Sequence, residues 1–268
     1  EVHSIYYLML GNFLVLLITL VLSLFLLKKF LHNDKESSSE PYVKEALKYG
    51  YKAHLSNILA FVNYKADIFL VNFLISPAAA GVYVIAVKLS ERLWILSQAV
   101  STTLFPRLSE LSNDERKRLQ ITPLISRVTL WLTAFASIAL AFVAFPLIKF
   151  VFGSEYLDAY IPLLILLPGI VFTSASRVLA NDLAARGRPE LNMYTSWVVV
   201  VCNIFGNILL IPMYGLLGAA VATTLAYVLN FCMRLLMYRH ITSVSILSLV
   251  VIRYSDVRGF FSRSEDVV

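Results

Sequence analysis

Long apolar runs, separated by short polar stretches, dominate the hydrophobic pattern of this chain. A membrane-spanning helix needs about 20 mostly apolar residues, and seven stretches approach or exceed that length. The pattern therefore predicts an all-α polytopic membrane protein with seven transmembrane helices. The predicted spans are residues 5–27, 53–75, 80–105, 124–148, 159–181, 191–211 and 215–238.

Very short connections join the second span to the third and the sixth to the seventh. They read ISPAAAG (75–81) and IPMYG (211–215), and each contains a proline and a glycine, as expected where one helix stops and another starts. Both pairs are therefore predicted to be tight antiparallel hairpins. Residues 241–252 are too short to span and are predicted to lie as an interfacial helix on the cytoplasmic leaflet. The charged run at 114–118 is predicted to be a solvated loop tip.

The composition supports a membrane protein. Of the 268 residues, 59% are hydrophobic and 15% are charged, whereas a soluble domain is about half apolar and a quarter charged. Cys202 and Cys232 both lie inside apolar runs, so no disulfide framework is expected. The four histidines show no ligand spacing, and neither a metal site nor a cofactor is predicted.

The basic residues alternate from one connection to the next. Of the 23 lysines and arginines, eighteen lie in or beside one alternating set of connections and the tail, four lie inside spans, and only Lys149 lies in the other set. Basic loops stay in the cytoplasm, so the C-terminus is predicted to be inside and residue 1 outside. This topology accounts for the net charge of +6 without a nucleic-acid partner.

The third span contains a charged turn. Within VYVIAVKLSERLWIL (82–96), the side chains of Lys88, Glu91 and Arg92 share an arc of roughly 100° on a helix, and Gln98 extends the same stripe. Each charge costs roughly 2.5–3.5 kcal/mol at a membrane helix centre. The stripe is therefore predicted to face protein or a water-filled cavity. Trp94, in contrast, is predicted to serve packing.

Two other spans carry charge at similar depth. In the second span, Asn63 and Asp67 share one face, where interhelical hydrogen bonding is the favoured interpretation, and Lys65 lies on the opposite face. The fifth span carries Arg177. One glutamate cannot neutralise two cations, so an anion is expected beside Arg92 and Lys88. The predicted anion site consists of Arg92, Lys88, Lys65 and Arg177, with Glu91, Asp67, Asn63 and Gln98 as supporting polar residues.

The stretch LKYGYKAHLSNILAFVNYKADIFLVNFLISPAAAGVYVIAVKLSERLWILSQAVSTTLFPRLSEL (47–111) resembles the bacterial polysaccharide flippases. These are the lipid-linked oligosaccharide transporters of the multidrug/oligosaccharidyl-lipid/polysaccharide exporter superfamily. The resemblance continues in LIKFVFGSEYLDAYIPLLILLPG (147–169), LAARGRPELN (183–192) and IPMYGLLGAAVATTLAYVLN (211–230). It implies a V-shaped transporter of twelve helices in two six-helix lobes.

On this resemblance the chain is expected to be a C-terminal fragment of a longer protein. Residues 1–31 would be the last transmembrane helix of the N-terminal lobe, 32–52 the cytoplasmic linker between lobes, 53–240 the complete six-helix C-terminal lobe and 241–268 a cytoplasmic or interfacial tail. The missing N-terminal lobe of the same protein would be its structural partner.

The resemblance also implies a function. Such proteins move an undecaprenyl-diphosphate-linked oligosaccharide from the inner to the outer leaflet of the bacterial inner membrane by alternating access. They serve the biosynthesis of cell-surface polysaccharides such as O-antigen and exopolysaccharide, and are not enzymes. The expected partners are the lipid-linked oligosaccharide, a polyprenyl diphosphate, and membrane lipid.

Three alternatives remain at this stage. A cation-coupled multidrug exporter of the same superfamily would need a carboxylate-led site, for which Asp67 is the candidate. A membrane glycosyltransferase or polymerase acting on lipid-linked sugars would need a large outer loop, whereas the longest outer loop here is roughly residues 149–158. A seven-helix receptor or retinal protein would have the same outside-to-inside topology, but a retinal protein would need a lysine in the last span, which has none.

Overall fold

The computed structural model describes residues 2–33, 40–111 and 114–251, and every regular element in these ranges is helical. The α-helices are α1 (Val2–Asn33), α2 (Glu40–Leu74), α3 (Pro77–Glu91), α4 (Trp94–Glu110), α5 (Glu115–Leu147), α6 (Tyr160–Ala185), α7 (Pro189–Thr242) and α8 (Ile246–Val250). A π-helical turn (Ile148–Phe152) and a 3₁₀ turn (Ser154–Ala159) connect α5 to α6.

The chain divides into two units, residues 1–48 and residues 49–268. The first unit contains α1, whose described side chains are all exposed, and the start of α2. The second unit contains every residue of the predicted anion site. The predicted division at residues 31, 52 and 240 stays a prediction, and residues 34–39 of the linker and 252–268 of the tail lie outside the described residues.

Several helices are long and apolar enough to cross a membrane, which confirms the predicted class of multi-pass all-α membrane protein. Within the described ranges there are five such stretches rather than seven. They are Met9–Leu26, Tyr49–Leu74, Glu115–Phe152, Ser154–Ala185 and Pro189–Thr242. The difference arises because the third predicted span is interrupted and the last two run together.

The interruption falls on the charged turn. Arg92 and Leu93 keep right-handed helical backbone angles (φ −59°, ψ −28° and φ −65°, ψ −19°). However, the Leu93 amide donates to the Ser90 carbonyl and the Leu96 amide to the Leu93 carbonyl, both at 3.2 Å, which is the tighter 3₁₀ pattern. The Ser90 hydroxyl also donates to the Val87 carbonyl at 2.9 Å, and such local bonds bend helices. The span predicted at 80–105 is therefore two helices joined by a tight turn.

The last two predicted spans form the two arms of α7. Its 54 residues would extend about 80 Å as a straight helix, far more than the roughly 30 Å hydrocarbon core. Gly215 breaks the helix with φ 57° and ψ −132°. A Cβ on Gly206 would lie 3.4 Å from Ala222 Cβ, and a Cβ on Gly218 would collide with the Leu210 carbonyl. The arms therefore run antiparallel and approach closely, as the short IPMYG connection predicts.

The turn between α2 and α3 is capped locally. The Ser76 hydroxyl accepts a hydrogen bond from the Ala79 amide at 3.1 Å, and Pro77 occupies the first helical position. The Tyr83 hydroxyl of α3 donates to Asp67 of α2 at 2.9 Å, so α3 returns along α2. This turn places the charged end of α3 beside the middle of α2.

Helix α6 lies at the centre of the second unit. It packs against α3, α4, α5 and α7, and most of its residues are buried. A Cβ on Gly169 would lie 3.1 Å from Thr224 Cα and 3.0 Å from the Tyr227 ring, so only glycine permits this approach of α6 to α7. The central position of α6 brings Arg177 to the same region as the charged turn.

The segment predicted as an interfacial helix at 241–252 differs from the prediction. Only Ile246–Val250 forms a separate helix, and α7 continues to Thr242. Leu249 is fully buried, and the Trp131 indole of α5 donates to the Val250 carbonyl at 2.9 Å. Because buried leucine and indole contacts hold it, α8 packs onto α5.

Candidate functional site

Five of the predicted site residues form one group at the junction of α2, α3 and α6. We call Lys65, Lys88, Glu91, Arg92 and Arg177 the cationic cluster. The Glu91 carboxylate lies 3.6 Å from the Lys65 ammonium and 3.5 Å from the Lys88 ammonium. The Glu91 side chain is 14% exposed, whereas those of Lys65 and Lys88 are 38% and 53% exposed. One half-buried carboxylate is thus shared by two accessible lysines.

Arg92 adds a further cation. Its side chain is exposed, and its guanidinium forms no ion pair or hydrogen bond with any residue that the structure describes. It lines a cavity of about 270 Å³, the first cavity, together with Lys88, Glu91 and Gln98. Trp94 and Ile95 form the apolar part of this wall. The predicted polar stripe therefore does face a cavity.

Arg177 reaches the cluster through aromatic rings. Its guanidinium lies 4.2 Å from the centroid of the Trp94 indole and 5.8 Å from that of the Tyr64 ring. The Tyr64 and Trp94 rings are 4.7 Å apart, and Tyr227 packs against both. Cation–π contact stabilises the guanidinium without neutralising it. Trp94 packs as predicted, but its contact with Arg177 was missed because residues of different helices carry no sequence signal of their pairing.

The cationic cluster carries four cations and one carboxylate, a formal charge of +3. Buried or half-buried charge at membrane depth is costly unless it is compensated. Two lysines share Glu91, Arg177 is stacked on rings, and Arg92 has no carboxylate partner among the described residues. The arrangement can therefore accept an anion in the first cavity.

A second cavity adjoins the first. It has a volume of about 540 Å³ and is lined by residues of α2, α4, α6 and α7. Gln98 lines both cavities. The polar and aromatic residues of the second include Tyr49, Tyr64, Arg177, Asn181, Asn192 and Arg234. None of the described residues that line it is acidic.

Asp67 and Asn63 lie elsewhere. Asp67 accepts hydrogen bonds from the Tyr83 hydroxyl at 2.9 Å and the Thr223 hydroxyl at 3.1 Å, which link α2, α3 and α7. Asn63 accepts from the Asn203 amide at 2.7 Å. Neither residue lines the two cavities. Both side chains are buried and join neighbouring helices.

A second charged group lies where α5 begins and α6 ends. We call Glu115, Arg118, Asp182 and Arg186 the balanced cluster. Arg118 pairs with Asp182 at 2.7 Å, and Arg186 lies 2.8 Å from Glu115 and 3.3 Å from Asp182. The prediction of a solvated loop tip at 114–118 is wrong in two respects, since residues 115–118 form the first turn of α5 and Arg118 is buried. Two cations and two carboxylates leave no net charge.

In the described residues, no group of three or more acidic, histidine or cysteine side chains could hold a metal ion.

Comparison with known proteins gives the family. Residues 2–161 match the family described as "Polysaccharide biosynthesis protein". The chain is 31% identical over 169 residues to the "Probable low-salt glycan biosynthesis flippase Agl15" of Haloferax volcanii, covering 61% of this chain and 35% of that protein. It is 28% identical over 134 residues to the "Capsular polysaccharide biosynthesis protein CapF" of Staphylococcus aureus, covering 49% of this chain and 34% of that protein.

The fold is similar to that of "Lipid II flippase MurJ, inward closed conformation", with a TM-score of 0.64 and 19% identity over 80% of this chain and 47% of that one. The chain spans about a third to a half of the length of these proteins. The family and its neighbours are transporters and flippases rather than enzymes. With more than half of its residues matched, the chain belongs to the polysaccharide biosynthesis protein family.

Proposed function

We propose that this chain forms part of a flippase that moves a polyprenyl-diphosphate-linked oligosaccharide from the inner to the outer leaflet by alternating access. The observation that carries the proposal is the excess of cations in the first cavity, above all the unpaired guanidinium of Arg92. A diphosphate is an anion that must cross hydrocarbon. The relatives named as a flippase and a capsular polysaccharide biosynthesis protein support this class of substrate.

The residues of the cationic cluster have distinct roles in this proposal. Arg92 donates a forked pair of hydrogen bonds to a phosphate, because the planar guanidinium matches that geometry. Lys88 and Lys65 lie on either side of Glu91 and add accessible positive charge. The diphosphate supplies the negative charge that the cluster lacks, while the polyprenyl chain stays in the lipid.

The proposal includes a topology. With seven spans and the basic loops in the cytoplasm, residue 1 lies outside and the C-terminus inside the cell membrane. An N-terminal lobe of the same protein pairs with this chain in the proposed transporter. The two arms of α7, each long enough to cross, count as two spans, and α3 with α4 counts as one. The cationic cluster then lies near the middle of the membrane.

A multidrug exporter is less favoured. Such a protein would use a free carboxylate to hold a cation. Asp67 already accepts three hydrogen bonds, from Tyr83, Thr223 and the Ile68 amide, and lines neither cavity.

Replacing Arg92 tests the proposal. We expect Arg92→Ala, in the complete protein that carries this chain, to lower surface polysaccharide about tenfold or more, because a hydrogen bond to a charged group contributes about 1.5–3 kcal/mol. Lipid-linked oligosaccharide should accumulate in the cytoplasmic leaflet. The measurements are immunoblotting of surface polysaccharide and mass spectrometry of extracted lipids.

The matched control is Arg107→Ala, an exposed arginine at the end of α4 that lines neither cavity. It should leave polysaccharide output unchanged, and both variants should reach the membrane in wild-type amounts. Normal output from the Arg92→Ala protein would contradict the proposed function.

A further inference from the structure

Two arginines line the second cavity without a carboxylate to neutralise either of them. Arg177 lies on α6 and Arg234 on the second arm of α7. Neither guanidinium forms an ion pair with any residue that the structure describes, and no described residue of the cavity wall is acidic. The wall therefore carries a formal charge of +2 that its own residues do not offset.

Arg234 is deeply buried. The residue is only 7% exposed, and its hydrogen bonds go to a neutral residue, since Nη1 donates to the Ser176 hydroxyl at 3.1 Å and to the Ser176 carbonyl at 3.4 Å. Taking an ion out of water is costly unless an opposite charge compensates it. This cost is present in every protein molecule, whether or not a lipid substrate is bound.

Both guanidinium groups keep N–H donors that an occupant of the cavity can reach. Nε of Arg234 is enclosed, whereas Nη2, which also has no partner among the described residues, is not enclosed. The Arg177 guanidinium is stacked 4.2 Å from the Trp94 centroid and forms no hydrogen bond with a described residue. Because Arg234 donates to Ser176, which directly precedes Arg177, the two cations converge on the same turn of α6.

These features select a small anion that is present without the substrate. A guanidinium has donors and no acceptor, so it needs an acceptor, and its charge needs an opposite charge. Water or a neutral sugar supplies acceptors but no charge. Since the cost of the buried cation must be offset before any lipid arrives, the compensating ion has to come from the surrounding solution. A cavity of about 540 Å³ has room for such an ion together with ordered water.

We propose that the second cavity holds a small inorganic anion, such as chloride, bound by Arg177 and Arg234 when no substrate is present. The ion offsets the positive charge of the cavity wall and so stabilises the packing of α6 against α7. Its site is distinct from the first cavity, whose charged residues lie at and beside the end of α3. The inference does not need the proposed function, because it concerns the protein without lipid.

Thermal melting in two salts tests this site in the complete protein, purified in detergent without substrate. Sodium chloride is compared with sodium gluconate at equal ionic strength, so that general screening is the same. We expect chloride to raise the melting temperature of the wild type by about 3 °C, because an ion that binds only the folded state stabilises it. In Arg177→Gln and in Arg234→Gln this difference should fall below about 1 °C. Each variant is compared with itself, so a change in its overall stability does not alter the result.

Two further arginines serve as controls. Arg107→Gln should keep the full chloride response, since Arg107 is exposed and lines neither cavity. Arg92→Gln should keep it as well, since Arg92 lines only the first cavity. Equal melting of the wild type in the two salts would overturn the inference, as would a response that survives in both second-cavity variants or disappears in Arg92→Gln. None of these outcomes bears on the proposed function, which the polysaccharide output of Arg92→Ala tests separately.

A diffraction experiment on the wild type covers the case in which neither second-cavity variant folds. Bromide replaces chloride in crystals of the complete protein and is located by its anomalous scattering. A peak beside Arg177 and Arg234 would support the site. Bromide found only beside Arg92, or at neither cavity, would overturn it.

Discussion

The cationic cluster and the balanced cluster both combine basic and acidic side chains but differ in net charge and exposure. In the balanced cluster, Asp182 is fully buried and pairs with Arg118, whose side chain is 4% exposed. In the cationic cluster, the side chain of Lys88 is 53% exposed and the only carboxylate is shared. The charges of the balanced cluster cancel, whereas the cationic cluster keeps an excess of positive charge.

This difference predicts that the two clusters respond differently to the loss of a charge. A buried pair is strongly destabilised when one partner is removed, because the other is left as an isolated charge. An exposed pair contributes little to stability, so the ion pairs of the cationic cluster should matter little for folding. Its excess of cations beside a cavity is what we propose a bound diphosphate neutralises.

Removal of the buried carboxylate should have the largest effect. In Asp182→Asn, Arg118 loses its partner at 2.7 Å, and we expect a loss of about 3–5 kcal/mol in the free energy of unfolding. Little folded protein should reach the membrane, as measured by fluorescence-detected size-exclusion chromatography and thermal melting. Glu115→Gln is the matched control, since the Glu115 side chain is 51% exposed and its loss should cost less than about 1 kcal/mol. Identical melting of Asp182→Asn and the wild type would remove the distinction between the clusters.

Cysteine labelling can determine which side of the membrane each end of the molecule faces. With Cys202 and Cys232 first replaced by alanine, single cysteines at Arg107, Arg188 and Lys149 present exposed sites. An impermeant maleimide added to intact cells should label the cysteine at position 149 and spare those at 107 and 188, since basic loops stay in the cytoplasm. The reverse pattern would invert the topology and place the balanced cluster at the outer surface. Arg188 is used to probe the connection between α6 and α7, because replacing the neighbouring Arg186 would remove ion pairs of the balanced cluster.

The smallest effect is expected from the carboxylate of the cationic cluster. Glu91→Gln leaves Lys65 and Lys88 without a partner, but both are accessible to solvent, so stability should change by less than about 1 kcal/mol. The affinity for bare polyprenyl diphosphate should rise about threefold, because a competing anion is gone. The measurements are thermal melting and lipid titration of the purified protein. A large loss of stability would show that Glu91, like Asp182, is needed to hold the folded structure together.

Much of the fold follows from the sequence because apolar runs of span length and helix-ending residues are local signals. Each predicted span lies within the described helices or bridges two of them, and Pro77 and Gly215 mark the turns. The tight turn at Arg92 was not predicted, since no proline or glycine marks it in the sequence.

The candidate site was predictable only in part. Lys88, Glu91 and Arg92 are neighbours along the chain, so their shared cavity follows from helical spacing. The contact of Arg177 with Trp94 and the burial of Arg118 depend on which helices pack together. Neither apolar pattern nor charge count contains that information, which is why Arg118 was assigned to solvent.

The tight turn between α3 and α4 has a geometric consequence. A 3₁₀ turn advances about 120° and 2.0 Å per residue, against about 100° and 1.5 Å in an α-helix. Relaxing two residues to α-helical geometry would rotate α4 by about 40° relative to α3 and shorten the pair by about 1 Å. Gln98 on α4 would then shift relative to Lys88 on α3. Because Gln98 lines both cavities, the geometry of this turn sets the shape of the wall that the two cavities share.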